Sequence, residues 1–135
     1  MPEETHANLE EAQKVAFEPE QADLYSKYLI YSRTEILYIL RSMQKKNCMV
    51  TVYFDQGRRF FLTAVIDVDE RLGRVILDCG SDEEVNRRAA EAKRFVCTAT
   101  LDKVKIQFSL DGLQRVRYHG ESAFSAAVPE VLLRL

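Results

Sequence analysis

Apolar residues fall at every second position along most of residues 46–119, and a period of two over such lengths signals half-buried strands. In KNCMVTVYF, Cys48, Val50, Val52 and Phe54 share a face; after a turn at Asp55-Gln56-Gly57, the run RRFFLTAVIDV aligns Phe60, Leu62, Ala64, Ile66 and Val68. A turn over 69–73 then leads into RVILDCG. Loops this short favour antiparallel neighbours, so residues 46–80 are expected to form a β-meander. Phe95, Cys97, Ala99 and Leu101 define a further strand, and Val104, Ile106, Phe108 and Leu110 another. Beyond the turn dipeptide Asp111-Gly112, a strand over 113–119 sets Val116 and Tyr118 against Arg115, Arg117 and His119, and a last one is expected over 123–128.

Two stretches break this period. Ser32-Arg33-Thr34-Glu35 has the form of a capping box, and Ile36, Leu37, Leu40 and Met43 follow as one helical stripe, predicting a helix over 33–46 that ends at Asn47. Ser81-Asp82-Glu83-Glu84 opens a second, shorter helix, with Glu84 and Arg88 spaced for an ion pair and little but Val85 and alanines to bury. Leu24, Tyr28 and Tyr31 stand at helical spacing, read as a short helix, although an extended arm fits equally. Six or seven antiparallel strands of this length avoid open edges by curling, so the expected fold is mainly β with α: a small antiparallel β-barrel capped by the longer helix, with a short crossover helix.

At 135 residues and 47% hydrophobic composition the chain suits one domain. Residues 1–21 hold six acidic residues and one lysine, a net of −5, whereas the other 114 carry a net of +3. The expected organisation is a disordered acidic tail over 1–22, a folded domain over 23–128 and the start of a linker over 129–135. No apolar run approaches the roughly 20 residues needed to span a bilayer, and no secretory signal opens the chain, so a cytoplasmic protein without membrane insertion is expected. Three separated cysteines, Cys48, Cys79 and Cys97, fit neither a disulfide framework nor a zinc site and read as buried free thiols.

Catalytic motifs are absent: there is no Walker loop, GxGxxG, HExxH or GxSxG, and His119 has no placed nucleophile. Asp67, Asp69 and Glu70 lack the spacing of an EF-hand and read as turn solvation. No catalytic, cofactor or metal residue is assigned, and the chain is read as a non-enzyme. If their strands are neighbours, Lys103, Lys105, Arg115 and Arg117, with His119, form one basic patch facing a partner. A nucleic-acid-binding barrel is the alternative; it requires stacking aromatics among those charges, for which Tyr53 and Phe61 are the candidates. Leu132, Leu133, Arg134 and Leu135 close an unusually apolar end, suited to a domain junction or to docking on the barrel.

The pattern of Gly57, Phe61-Leu62-Thr63-x-Val65, a polar turn and Leu77-Asp78-x-Gly80 resembles the amino-terminal domain of YcgR-type flagellar brake proteins, over residues 28–135. The resemblance implies a small β-barrel related to the PilZ barrel that follows it, and a regulatory module controlling motility through flagellar motor proteins. It also implies cyclic di-GMP clamped at the junction with that PilZ domain by an Arg-x-x-x-Arg motif and an Asp/Asn-x-Ser-x-x-Gly motif. Neither occurs here: Arg115-x-Arg117 and Arg71-x-x-Arg74 have other spacings, and Arg134 is one residue from the end. The resemblance thus implies no cofactor in these 135 residues, with cyclic di-GMP bound only when the PilZ domain is present.

Overall fold

The computed structural model describes residues 23–135; the acidic segment 1–22 lies outside the described residues. A 3-10 turn, Asp23–Tyr28, leads into a two-residue strand β1, Leu29–Ile30, where a helix through Tyr31 was expected. Helix α1, Arg33–Lys45, starts where Ser32, in extended conformation, accepts a hydrogen bond from the Glu35 amide at 3.3 Å. The Glu35 carboxylate, expected to reach back to Ser32, pairs with Arg134 instead, at 3.1 Å. The stripe buries Ile36, Leu37, Leu40 and Met43 as expected, together with Ile39. At the far end Asn47 takes a left-handed conformation (φ 51°), its amide bonding to Gln44 O and that of Cys48 to Met43 O, which is the Schellman arrangement.

The strands follow as β2 Val50–Phe54, β3 Arg59–Thr63, β4 Val65–Asp69 and β5 Arg74–Asp78. Helix α2, Glu83–Glu91, separates these from β6 Phe95–Leu101, β7 Val104–Leu110, β8 Gln114–Tyr118, β9 Glu121–Ala127 and β10 Leu132–Arg134. Among the described residues ten strands form, where six or seven were expected, in two antiparallel sheets ordered β1-β10-β7-β6-β2-β3 and β4-β5-β9-β8. No single sheet closes on itself among the described residues, so barrel is a loose word for the arrangement, while the mainly-β class with two helices is as expected. Residues 132–134, expected in a linker, lie inside the larger sheet.

The run expected as one strand from Arg59 to Val68 divides at Ala64 and serves both sheets. Its face is also opposite to expectation in the first half: Phe61 and Thr63 are buried, while Phe60 and Leu62 are exposed. Register explains this. Phe61 lies opposite Val52 and Thr63 opposite Val50, and directly opposed residues share a face, so the buried side of β2 fixes that of β3. A bulge between Val65 and Asp67 then brings both Val65 and Val68 into the core.

The four-stranded sheet is strongly coiled. Its outer strands, three spacings of about 4.8 Å apart in a flat sheet, are bridged by the Tyr118 hydroxyl donating to Asp67 Oδ2 at 2.7 Å. The open edge of β4 is met by α1: Gln44 Nε2 donates to Ile66 O and Arg41 Nη2 to Val68 O, both at 3.0 Å. These bonds occupy carbonyls that an uncovered edge would offer to another chain.

Where the chain leaves β5, Gly80 is held by α2. The N-cap of that helix is Asp82 rather than Ser81, accepting from the amides of Glu84 and Val85. One turn on, buried Asn86 accepts from the Gly80 amide at 2.9 Å and donates to the Gly80 carbonyl at 2.8 Å. The expected Glu84–Arg88 pair forms at 3.1 Å, with Arg87 joining it. A β-carbon on Gly80 would stand 3.0 Å from Phe61 Cβ and 3.1 Å from Asn86 Oδ1. Asn86→Ala is therefore expected to cost about 1–3 kcal/mol by orphaning the Gly80 peptide groups, and Gly80→Ala about 1–3 kcal/mol by overpacking. Urea denaturation checks both, and midpoints unchanged from the parent would contradict this role.

Candidate interaction surfaces

The residues expected to form one basic patch do not come together. Lys103 sits in the β6–β7 turn (φ 67°) and Lys105 on β7, in the six-stranded sheet; Arg115 and Arg117 lie on β8, the outer strand of the other. The neighbours of β7 are β10 and β6, and β8 pairs with β9, so the four side chains share no continuous sheet face.

Arg115 is a structural clasp between β8 and α2. Its guanidinium makes a two-pronged contact with Glu83, at 2.5 and 3.2 Å, donates to Ser122 Oγ at 3.0 Å and lies over the Phe124 ring at 5.8 Å. The Arg115 contact, followed by that from Asn86, holds the Glu83 carboxyl below the usual carboxylate range, and Glu83 in turn raises the guanidinium. Arg117 is exposed, opposite Ser122. His119 occupies the β8–β9 turn (φ 50°) rather than a strand end, packed edge-on against Tyr118 at 4.3 Å.

The acidic turn is committed to the fold. Asp67 accepts from the Val68 amide and from Tyr118, Asp69 accepts from the Leu72 amide at 2.9 Å, and Glu70 pairs with Arg41 at 3.3 Å. Among the described residues no group of three His, Cys, Asp or Glu side chains is arranged to hold a metal ion. All three cysteines are free; Cys97 is buried, which pushes its thiol pKa up, while Cys48 and Cys79 are only half-buried.

Leu132, Leu133 and Arg134 form β10, paired with β1 on one side and β7 on the other. Leu132 and Leu133 are buried, Arg134 reaches Glu35 on α1, and the Leu135 amide bonds to Lys105 O at 3.0 Å with its side chain exposed. The exposed aromatics differ from those expected: Phe61 is buried, and Phe60 instead stands outside with Tyr53, ring centroids 6.0 Å apart. Only the cross-strand register could have revealed Phe60 in advance.

Two antiparallel sheets with two short helices make the described residues a mainly-β domain. Residues 28–134 match the family described as flagellar regulator YcgR, PilZN domain, and the chain belongs to that family. It is 39% identical over 114 residues to a flagellar brake protein YcgR of Azoarcus sp. (strain BH72), covering 84% of this chain and 44% of the relative. It is 36% identical over 117 residues to that of Nitrosospira multiformis, covering 87% and 45%. The chain thus spans about half the length of these curated relatives. Among solved structures, the YcgR-N domain of YcgR from Escherichia coli superposes with a TM-score of 0.74 at 21% identity, over 81% of this chain and 96% of that one. The E. coli YcgR complex with c-di-GMP gives 0.77 at 21%, over 82% and 47%, and apo MrkH of K. pneumonia 0.60 at 16%, over 80% and 43%.

Because the Glu83 pKa is lowered on folding, the Glu83–Arg115 clasp stabilises fully above the unfolded carboxylate value, about 4.3, and its contribution is lost as pH falls through the lower folded value. Between pH 7 and pH 3 the urea midpoint of the parent should therefore fall further than that of Glu83→Gln. Equal falls would show that the clasp is not coupled to folding.

Proposed function

We propose that this chain is a non-catalytic regulatory domain of a cyclic di-GMP-responsive flagellar brake, acting by protein contacts beside a PilZ domain that holds the nucleotide at their junction. The observation that supports the reading most is the family match over residues 28–134, joined to the fold it shares with the E. coli YcgR-N domain. In this reading the junction is built from Leu132 to Leu135. A PilZ domain attached beyond Leu135 would pull on β10, which is stitched between β1 and β7 and tied to α1 through Arg134 and Glu35. Nucleotide capture at the junction then changes how the two domains sit, and so which surface is offered to flagellar motor proteins. Lys103, Lys105 and Arg117 serve as separate charged contacts rather than one patch, and Arg115 serves the fold.

The nucleic-acid-binding alternative is weaker in this arrangement, because the basic residues it needs are divided between two sheets and Arg115 is engaged with Glu83.

Isothermal titration with cyclic di-GMP tests the reading. The 135-residue chain should give no saturable heat, and the same chain continued into a PilZ domain should bind. Tight binding by the 135-residue chain alone would place the site within this domain and contradict the proposal.

A further inference from the structure

The outward face of the six-stranded sheet is closed in its middle and open at its rim. Leu29, Leu133, Gln107, Thr98, Thr51 and Leu62 oppose one another in turn across the six strands. The alternate row, from Ile30 through Phe108 and Cys97 to Phe61, faces the core on the other side. In the middle of the outward face Val96 is 2% exposed, Gln107 4% and Leu133 6%, although neither Val96 nor Leu133 belongs to the core cluster. Both helices bury their apolar side chains in that cluster, so neither closes this middle. Around it Met49, Phe60, Leu62 and Leu135 are exposed, a set of apolar residues on one rigid face rather than scattered singly.

Within the closed middle, Gln107 Nε2 is buried with no hydrogen-bond partner among the described residues. A donor shut off from water calls for an acceptor. The chain ahead of β1 is in position to bring one. β1 is the outer strand of this sheet and Leu29 stands beside Leu133; backwards from Leu29 the chain runs toward the end of β10, where the Leu135 amide meets Lys105 O. Residues 1–22 continue from that point. Six strands span five spacings of about 4.8 Å, roughly 24 Å, a width that about seven extended residues cross. Leu9, Val15 and Phe17 stand 14, 8 and 6 residues ahead of Asp23, so all can reach the face. Charge agrees with this path: residues 1–21 carry a net of −5, and Glu18 and Glu20 adjoin the end at which Lys105, opposite Thr100, stands on the outward side. A tether of this length also holds the segment at a local concentration on the order of millimolar, an advantage that a separate chain lacks.

We propose that residues 1–22 dock across the outward face of the six-stranded sheet, with Leu9, Val15 and Phe17 set against Met49, Phe60 and Leu62, carboxylates beside Lys105, and an oxygen of the segment accepting from Gln107 Nε2. The acidic segment is then an intramolecular cover rather than a solvating tail. In the regulatory reading, a partner that uses Lys105 has to displace this cover. The docking itself does not rest on that reading, because its occupant is part of the same chain.

The test uses the purified full chain with a photo-crosslinking phenylalanine derivative at Phe60 and, as control, at Leu72, which is exposed on the turn between β4 and β5 of the other sheet. Isotope-labelled and unlabelled chains are mixed before irradiation, and the adducts are mapped by peptide mass. Position 60 should give adducts to peptides within residues 1–22 of the same chain, and position 72 should not. The triple variant Leu9→Ser, Val15→Ser and Phe17→Ser, which leaves the described residues untouched, should cut the yield about tenfold. Gln107→Met, which removes the donor at similar volume, should also lower it, with far-UV circular dichroism checking that the strands are kept. If Gln107→Met fails to fold, the triple variant still decides. Adducts that join labelled to unlabelled chains would make a second copy the occupant and overturn the proposal. So would adducts confined to residues 23–135, equal yields at positions 60 and 72, no adducts from the purified chain, or a triple variant that crosslinks as the parent does.

Discussion

The structure depends on one polypeptide run supplying strands to two sheets. At Thr63-Ala64 the chain leaves the β2 partnership and enters that of β5, and the peptide groups at such a change of sheet are the ones a ladder cannot pair. They are paired locally. The Asp78 amide bonds to Ala64 O at 3.2 Å, and the Thr63 hydroxyl donates to Asp78 O at 2.5 Å. Next to this corner, Asn86 occupies both peptide groups of Gly80, and Gly80 itself lies so near Phe61 that a β-carbon would force the neighbouring side chains to give way. The Arg115–Glu83 clasp ties α2, and with it Asn86, to the far strand of the smaller sheet. Without these bonds the corner would bury unsatisfied polar groups, each costing roughly 1–3 kcal/mol, a large share of the margin of a domain this size.

Much of the fold was legible where local chemistry and burial agree. Helix α1 follows from Ser32, its apolar stripe and Asn47, and β6 and β7 from strict alternation joined by a two-residue turn in which Asp102 and Lys103 both take positive φ. The strand over 59–63 was not legible in phase, because Phe60 and Leu62 on one side and Phe61 with Thr63 on the other make either face plausible until β2 is paired with it. β1 and β10, of two and three residues, are too short to show any period. Burial on both faces of β9, at Ala123, Phe124, Ser125 and Ala126, likewise hides its alternation.

The sites were harder still, since each rests on pairs distant in sequence. Tyr118 with Asp67, Arg115 with Glu83 and Arg134 with Glu35 are separated by 51, 32 and 99 residues. Charge read along a strand suggested a partner-facing patch, yet one of those cations, Arg115, holds α2 to β8 instead. Apolar side chains stay exposed at the β2–β3 hairpin, at Phe60 and Leu62, and the final strand is bound into the sheet on both sides.

Amide hydrogen exchange in the native state tests the central claim most directly, residue by residue at the corner. If the change of sheet is the constraint on which the fold rests, the Asp78 and Gly80 amides should exchange only through global unfolding, at the same free energy as amides in the middle of β6 and β7. Exchange at Asp78 and Gly80 through a local opening, while β6 and β7 remain protected, would show that the two sheets hold together without this corner.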